Sequence, residues 1–501
     1  MKSLISRFRW PMRGLVAVTL ALVFALSSTI SAFAFTLLQI SSDPFTNSTS
    51  QHATEVEPDT FASGSTFVST FQVGRFFNGG ASDIGFATSS NGGKSFTNGF
   101  LPGTTPFSTP AGIYQRVSDA SVAFDAKHRV WLISFLGLFP SGNTKEVDVL
   151  VSRSTDGGLT WSTPVVVNND GHFNDKNWTA CDNTASSPFF GNCYTEFDDA
   201  SKSDTIQMST STDGGQTWGA TLPTASHDHG IGGQPLVQPN GKVIVPIQGF
   251  AGPGGTILSF VSTDGGASWS KAVIVAKVAF HTPAGGIRSG FLPSAEIDAS
   301  GKVYVVWADC HFEAGCPAND LVFSTSTNGL NWSAVTRIPL DPIGSGVDHF
   351  FPGVAVDNST SGSSARLAVT FYFYPNANCT ASTCQLDVGF STSTDGGASW
   401  TSNSQLAGPM TLSWLPNTNQ GRMVADYIST SFVGGPAFPA FAVASAPSSG
   451  GSDCFTATPN CNQPMFTVKG GLSVGGSTHA ASDTFPTGSN DTLTGSSLTA
   501  Q

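Results

Sequence analysis

Residues 154–161 read Ser-Thr-Asp-Gly-Gly-Leu-Thr-Trp, and the pattern returns at 211–218, 262–269 and 393–400. Looser copies stand at 89–96, closed by Phe96, and at 326–332, one residue shorter. Six copies spaced by 51 to 67 residues mark a repeat architecture. Each copy follows an alternating stretch such as 147–153 and precedes another such as 164–167, which makes it a hairpin connection. Asp-Gly supplies the turn: the carboxylate accepts nearby backbone N–H groups and glycine takes the positive φ a tight turn needs. The closing Trp packs its ring under the turn. Five of the ten tryptophans sit at this place, so the pattern reads as a fastener copied around a fold, not as a reactive centre.

The pattern Ser-x-Asp-x-Gly-x-Thr-Trp resembles the Asp-box (BNR) repeat of the sialidase-like β-propellers, over about residues 36–469. That resemblance implies an all-β chain whose four-stranded units, with strands A to D, form the blades of a ring, the Asp-box joining C to D. Inner A strands are expected to end in Asp, as at Asp125, Asp182, Asp298 and Asp357. The B strands, such as 130–136, 303–307 and 367–373, are near-continuous apolar runs suited to sheets covered on both faces. Counting A strands gives a seven-bladed β-propeller, with six blades as the alternative. The last unit, at 423–468, has no Asp-box and no D strand. The unassigned strand at 36–40 is expected on its outer edge, closing the ring.

Composition agrees with a turn-rich β protein: 55 glycines in 501 residues, and only 11% charged residues. Residues 1–34 read as an export signal, with Lys2, Arg7, Arg9 and Arg13 before a 13-residue apolar core and Ala32-Phe33-Ala34 at the cleavage position. An uncleaved membrane anchor is the alternative. Removing the four basic residues leaves 18 Lys and Arg against 34 Asp and Glu, a net charge of −16, which disfavours nucleic acid and anionic membranes as partners. The eight cysteines form four near pairs, Cys181/Cys193, Cys310/Cys316, Cys379/Cys384 and Cys454/Cys461, suited to disulfides in an exported protein. Zinc ligation is the other use of such residues. Residues 470–501 are Gly/Ser/Thr-rich and are expected to be a disordered tail.

Alternating strand direction puts the Asp-boxes on one face of such a ring and the D-to-A and B-to-C loops on the other. Arg116, Arg288 and Arg422 fall in D-to-A connections and Arg75 in a B-to-C connection. Arginines meeting from separate blades make a carboxylate clamp. The resemblance to sialidases implies a Tyr nucleophile with acidic partners, and Tyr427 beside Asp426 is the tyrosine that can be placed there, with Asp119 and Glu296 the nearest acids. The family's first signature, Phe/Tyr-Arg-Ile-Pro, is here Val56-Glu57-Pro58. Glu57 therefore stands where the family has an arginine, and the local charge is reversed.

Seven of nine histidines, among them His172, fall on the loop-bearing face. His227-Asp228-His229 places two imidazoles at i, i+2, a candidate metal pair. Asn168-Asn169-Asp170-Gly171 is similar to the start of a calcium loop but lacks its downstream acid. No cofactor is required by the sequence, though calcium or a transition metal would suit these residues. The expectation is a secreted, monomeric propeller acting on or binding an extracellular glycan or glycoprotein. It would be either a sialidase-type glycoside hydrolase or a non-catalytic binder.

Overall fold

A computed structural model describes residues 35–139, 146–250, 255–447, 453–454 and 461–485. The expected export signal at 1–34 and the end of the expected tail, 486–501, lie outside the described residues. Those described are all-β, apart from four three-residue 3-10 turns. None of their helices is long and apolar enough to cross a membrane.

Antiparallel four-stranded meanders follow one another along the chain. The first runs Gln51–Ser63, Thr66–Arg75, Ala81–Ser89 and Thr97–Phe100. The second runs Arg116–Asp125, Val130–Leu138, Val147–Ser154 and Val165–Asn168. These two touch through a single ladder pair, Ala81 with Val117. Inner strands of later meanders begin at Asn174, Gly230, Ser294 and Asp348. The last sheet holds Ser429–Phe432, Ala437–Ala442 and Met465–Val468, and the N-terminal strand Leu37–Gln39 pairs antiparallel on its edge. That is the edge where the sequence places it.

Each hydrophobic cluster lies between two neighbouring sheets. Val68 and Phe86 of the first pack with Trp131, Phe135 and Leu150 of the second, and Phe67 of the first packs with Val433 and Phe438 of the last. The Asp-box fastens these contacts. In the copy at 154–161, Asp156 Oδ1 accepts the N–H groups of Leu159 and Thr160 at 3.1 and 3.0 Å, and the Ser154 hydroxyl accepts that of Gly158 at 2.9 Å. Slight burial pushes the Asp156 carboxyl up, but its hydrogen bonds, led by that from the Thr160 hydroxyl, hold it at about 2. Gly158 has φ 82°, and a Cβ there would lie 2.8 Å from Val68 of the preceding sheet. Glycine is thus required both by conformation and by close approach. Gly93 repeats this against Phe438, so the first Asp-box abuts the last sheet.

The inner strands are also latched to one another. Asp59 accepts the backbone N–H of Val122 at 2.7 Å, Ser121 that of Thr179 at 3.0 Å, Gln234 that of Ala295 at 2.7 Å and Ser294 that of Val354 at 3.0 Å. The series returns to its start, because Ser429 of the last sheet accepts from Thr60 of the first at 3.1 Å.

All four cysteine pairs form the local disulfides expected. The expected tail is different. Within residues 470–485, Thr478–Ala480 pairs with Ser399–Thr401, and Thr484–Phe485 pairs with Val335 and Thr336 on an outer edge. Composition gave no sign of this order. It rests on backbone pairing onto open sheet edges, which needs no apolar pattern, together with burial of Leu472 and packing of Phe485 against a core cluster.

Candidate functional site

Ladder register breaks at one equivalent place in several inner strands: between Val56 and Asp59, Ser118 and Ser121, Asp175 and Trp178, and Phe350 and Gly353. At each break one residue takes a left-handed conformation: Glu57 at φ 56°, Asp119 at 52°, Lys176 at 41° and Phe351 at 51°. A bulge releases a residue from the ladder and re-aims its side chain, and such strained positions concentrate at functional sites. Each lies three residues before the residue whose N–H enters a latch, namely Thr60, Val122, Thr179 and Val354, so the bulged residues occupy equivalent positions in their inner strands.

Charges from several sheets converge at this level. The Arg288 guanidinium is forked onto Asp426, with Nε donating to Oδ1 at 2.9 Å and a terminal nitrogen pairing with Oδ2. Burial alone would lower the Arg288 pKa, but the charges of Asp426, Glu57 and Asp119 raise it instead. Arg75 is buried; it donates to the Gly80 carbonyl at 2.7 Å and lies in the field of Glu57, Asp426 and Asp119. Glu57 is buried and accepts from the Gln72 amide. Loss of water, then the charges of Asp119 and Asp426, push its carboxyl well above the usual range, against the pull of Arg288 and Arg75.

Tyr427 is buried, its hydroxyl donating to the Ala120 carbonyl at 3.4 Å. Burial and the neighbouring carboxylates raise its pKa, which is the opposite of what an activated nucleophile needs. The Lys176 ammonium sits 3.6 Å from the centre of the Tyr427 ring and 4.6 Å from that of Trp178. The two rings meet edge-on, with centroids 5.4 Å apart. Lys176 is 5% exposed and its nitrogen has no hydrogen-bond partner, so aromatic faces and carboxylate fields hold the charge.

Behind Lys176 lies an acidic group that sequence reasoning missed. Asp175 and Asp198 are direct cross-strand partners, and Glu196 lies two residues from Asp198 on the same strand face. Glu196 and Asp198 are fully buried, and all four of their carboxylate oxygens lack hydrogen-bond partners. Burial pushes Glu196 up to about 8; burial and Asp119 push Asp175 up to about 7; burial and Asp175 push Asp198 well above its ordinary value. One signal could have found Lys176. Counting six residues back from the Asp that ends an inner strand leads from Asp125 to Asp119, and the same count from Asp182 leads to Lys176.

Of the residues singled out by sequence, Glu57, Arg75, Asp119, Arg288, Asp426 and Tyr427 are brought together. The expected three-arginine clamp is not. Arg116 donates to the Asn78 side chain at 2.6 Å and the Gly79 carbonyl at 2.8 Å, and covers the Phe76 ring. Arg422 pairs with Asp453 at 2.6 Å and donates to the carbonyls of Leu415 and Cys454. Both satisfy loop carbonyls that sequence spacing does not reveal. Glu296 lies apart from this cluster, lining a channel of about 990 Å³ walled by the inner strands of every sheet, together with Asp59 and Trp178. Burial and then the Asp59 charge push Glu296 up to about 8.

His227 and His229 do not join a cluster of metal-ligating groups. Both are exposed, and His229 Nδ1 bonds the Ser203 carbonyl at 2.7 Å. Among the described residues such groups occur at Asp170, His172 and Asp199, and at Asp320, Asp341 and His349. In the second, Arg337 already bridges Asp320 and Asp341.

Residues 139–370 match the profile of the BNR repeat-like domain. No curated protein matches the chain. Among solved structures, an ulvan lyase, described as a polysaccharide lyase, superposes with a TM-score of 0.50 at 10% identity, over 89% of this chain and 98% of that one. A Hadza microbial sialidase gives 0.43 at 16% identity over 64% of this chain, and the match spans only 63% of the sialidase. A leech intramolecular trans-sialidase gives 0.44 at 10% identity, over 68% and 67% of the two chains. At 10% identity the likeness to the lyase is one of fold alone. Its six Asp-boxes and the domain matched at 139–370 make the chain similar to the sialidase-like Asp-box (BNR) repeat proteins.

Proposed function

We propose that the protein is an exported, seven-bladed Asp-box propeller that recognises a neutral glycan at the mouth bearing Asp119, Asp175, Arg288 and Asp426. The latch that returns from Ser429 to Thr60, and the packing of Gly93 on Phe438, support a ring closed between first and last sheets. The four disulfides suit an oxidising compartment.

The observation that carries the glycan reading is the Arg288–Asp426 fork. An anionic sugar would have to displace Asp426 from Arg288 and then face Glu57, Asp119 and Asp175. A neutral sugar meets half-exposed carboxylates that accept hydrogen bonds from its hydroxyls, with no charge to neutralise. The test is a panel of neutral and sialylated glycans offered to the purified protein, with a fluorogenic sialoside alongside. Binding confined to neutral glycans, without sialoside turnover, supports the reading; sialoside hydrolysis overturns it.

A second reading is hydrolysis of a neutral glycan. It is favoured by one feature: burial, then the charges of Asp119 and Asp426, push the Glu57 carboxyl well above its ordinary range, the direction a proton donor requires. On that reading Glu57→Gln abolishes turnover while binding persists. Absence of turnover in the wild-type protein on every neutral glycan it binds leaves recognition alone.

A further inference from the structure

The loop joining the second sheet to the third carries Asp170 and His172, and the end of the strand Cys193–Asp199 brings Asp199 against them. His172 Nδ1 lies 2.8 Å from Asp199 Oδ2 and 3.2 Å from Asp170 Oδ2. Three protein ligands about 2.0–2.1 Å from a tetrahedral zinc stand roughly 3.3 Å from one another, so these atoms already have near-ligand spacing. All three groups offer a ligating atom within 4.8 Å of the others.

The arrangement is built rather than casual. Val147 N–H donates to the His172 carbonyl at 2.9 Å, Ala200 N–H to the Phe173 carbonyl at 2.8 Å, and Phe173 N–H to the Ser201 hydroxyl at 2.8 Å. These bonds tie the loop to both flanking strands. A second observation points to a missing ligand: Asp199 is fully buried, and its Oδ1 is enclosed without any hydrogen-bond partner. An enclosed carboxylate oxygen of that kind costs free energy unless something electropositive meets it. Its Oδ2 is met by the Lys202 ammonium at 2.9 Å, on a side chain more than half exposed and free to swing away.

We propose that Asp170, His172 and Asp199 form a binding site for a divalent transition metal of the zinc class, with Lys202 as the internal cation that the metal displaces. Imidazole with two carboxylates is a borderline donor set, suited to zinc and its first-row neighbours more than to calcium. Binding shifts the His172 proton from Nδ1 to Nε2, leaving Nδ1 as ligand. Two carboxylates and a neutral imidazole then balance the divalent charge. The half-exposed edges of Asp170 and His172 provide entry and leave room for a water ligand. The site ties the second sheet to the third and stands independently of what the mouth binds.

The test uses the full mature chain, without a histidine tag and stripped by a chelator, titrated with Zn²⁺ by calorimetry. One equivalent is expected to bind and to raise the thermal midpoint. His172→Gln and Asp199→Asn should each weaken binding at least tenfold, His229→Gln should leave it unchanged, and Lys202→Gln should tighten it. No binding, binding untouched by His172→Gln, or binding of calcium in preference to zinc overturns the assignment. Should Asp199→Asn fail to fold, half-exposed His172 and Lys202 still decide it.

Discussion

The carboxylate of Asp59 accepts the N–H of Val122 at 2.7 Å from a neighbouring sheet, while the N–H of Thr60, the next residue, donates to Ser429 of the last sheet. One short stretch of inner strand is therefore latched on both sides. Asp59 is 3% exposed, so Asp59→Ala leaves a buried amide unpaired as well as a void. The expected loss is about 2–3 kcal/mol, against about 1 kcal/mol for Ser121→Ala or Ser429→Ala, measured by urea unfolding. Equal effects at the three positions would contradict the latch.

The buried acids set a pH dependence whose sign can be worked out. Asp59 and Asp175 are pushed up to about 7, and Glu196 and Glu296 to about 8, chiefly by loss of water. Their unfolded values lie near 4, so the folded state holds these protons more tightly. The stability they contribute is present in full below about pH 4 and is lost as pH rises through about 7 to 8. Asp156, held at about 2, acts oppositely: its contribution is present above about pH 4 and lost as pH falls toward 2. The thermal midpoint should thus be highest near pH 4 and fall toward pH 8. Glu196→Gln should flatten that fall. Lys176→Met, which removes the cation beside these acids, should steepen it.

Arg288 and Asp426 side chains are 22% and 19% exposed, so solvent screens their pairing only in part. Arg288→Ala and Asp426→Asn should each destabilise the protein, and a double-mutant cycle should give a coupling of about 2 kcal/mol. A coupling near zero would mean that the fork does not organise the mouth.

Among the Asp-box tryptophans, Trp400 is fully buried; its Nε1 donates to the Gly397 carbonyl at 3.1 Å and its ring meets Phe323 of the preceding sheet. Trp400→Ala should cost about 3–5 kcal/mol by calorimetry. Trp218, only partly buried and with no partner for its indole nitrogen, should cost less.

Much of the frame was legible because the Asp-box fixes where strands C and D meet, and apolar runs mark the B strands. The cysteine pairs followed from short loops, and the edge position of Leu37–Gln39 followed from a last unit short of one strand. The site was legible only in part. A bulge breaks the two-residue alternation at Glu57, Asp119 and Lys176, so strand patterning could not aim those side chains. Asp175, Glu196 and Asp198 meet only through strand pairing, which sets Asp175 opposite Asp198. Arg116 and Arg422 looked like clamp members because the loop carbonyls that engage them leave no mark in the sequence.

The most direct measurement is a calorimetric titration of wild-type protein, Asp119→Asn and Arg288→Ala with the neutral oligosaccharide that binds best, and with its sialylated counterpart. Saturable binding of the neutral glycan is expected, weakened at least tenfold by either substitution, with the sialylated form weaker still on the wild-type protein. Unchanged affinity in Asp119→Asn, or a wild-type preference for the sialylated glycan, would contradict it.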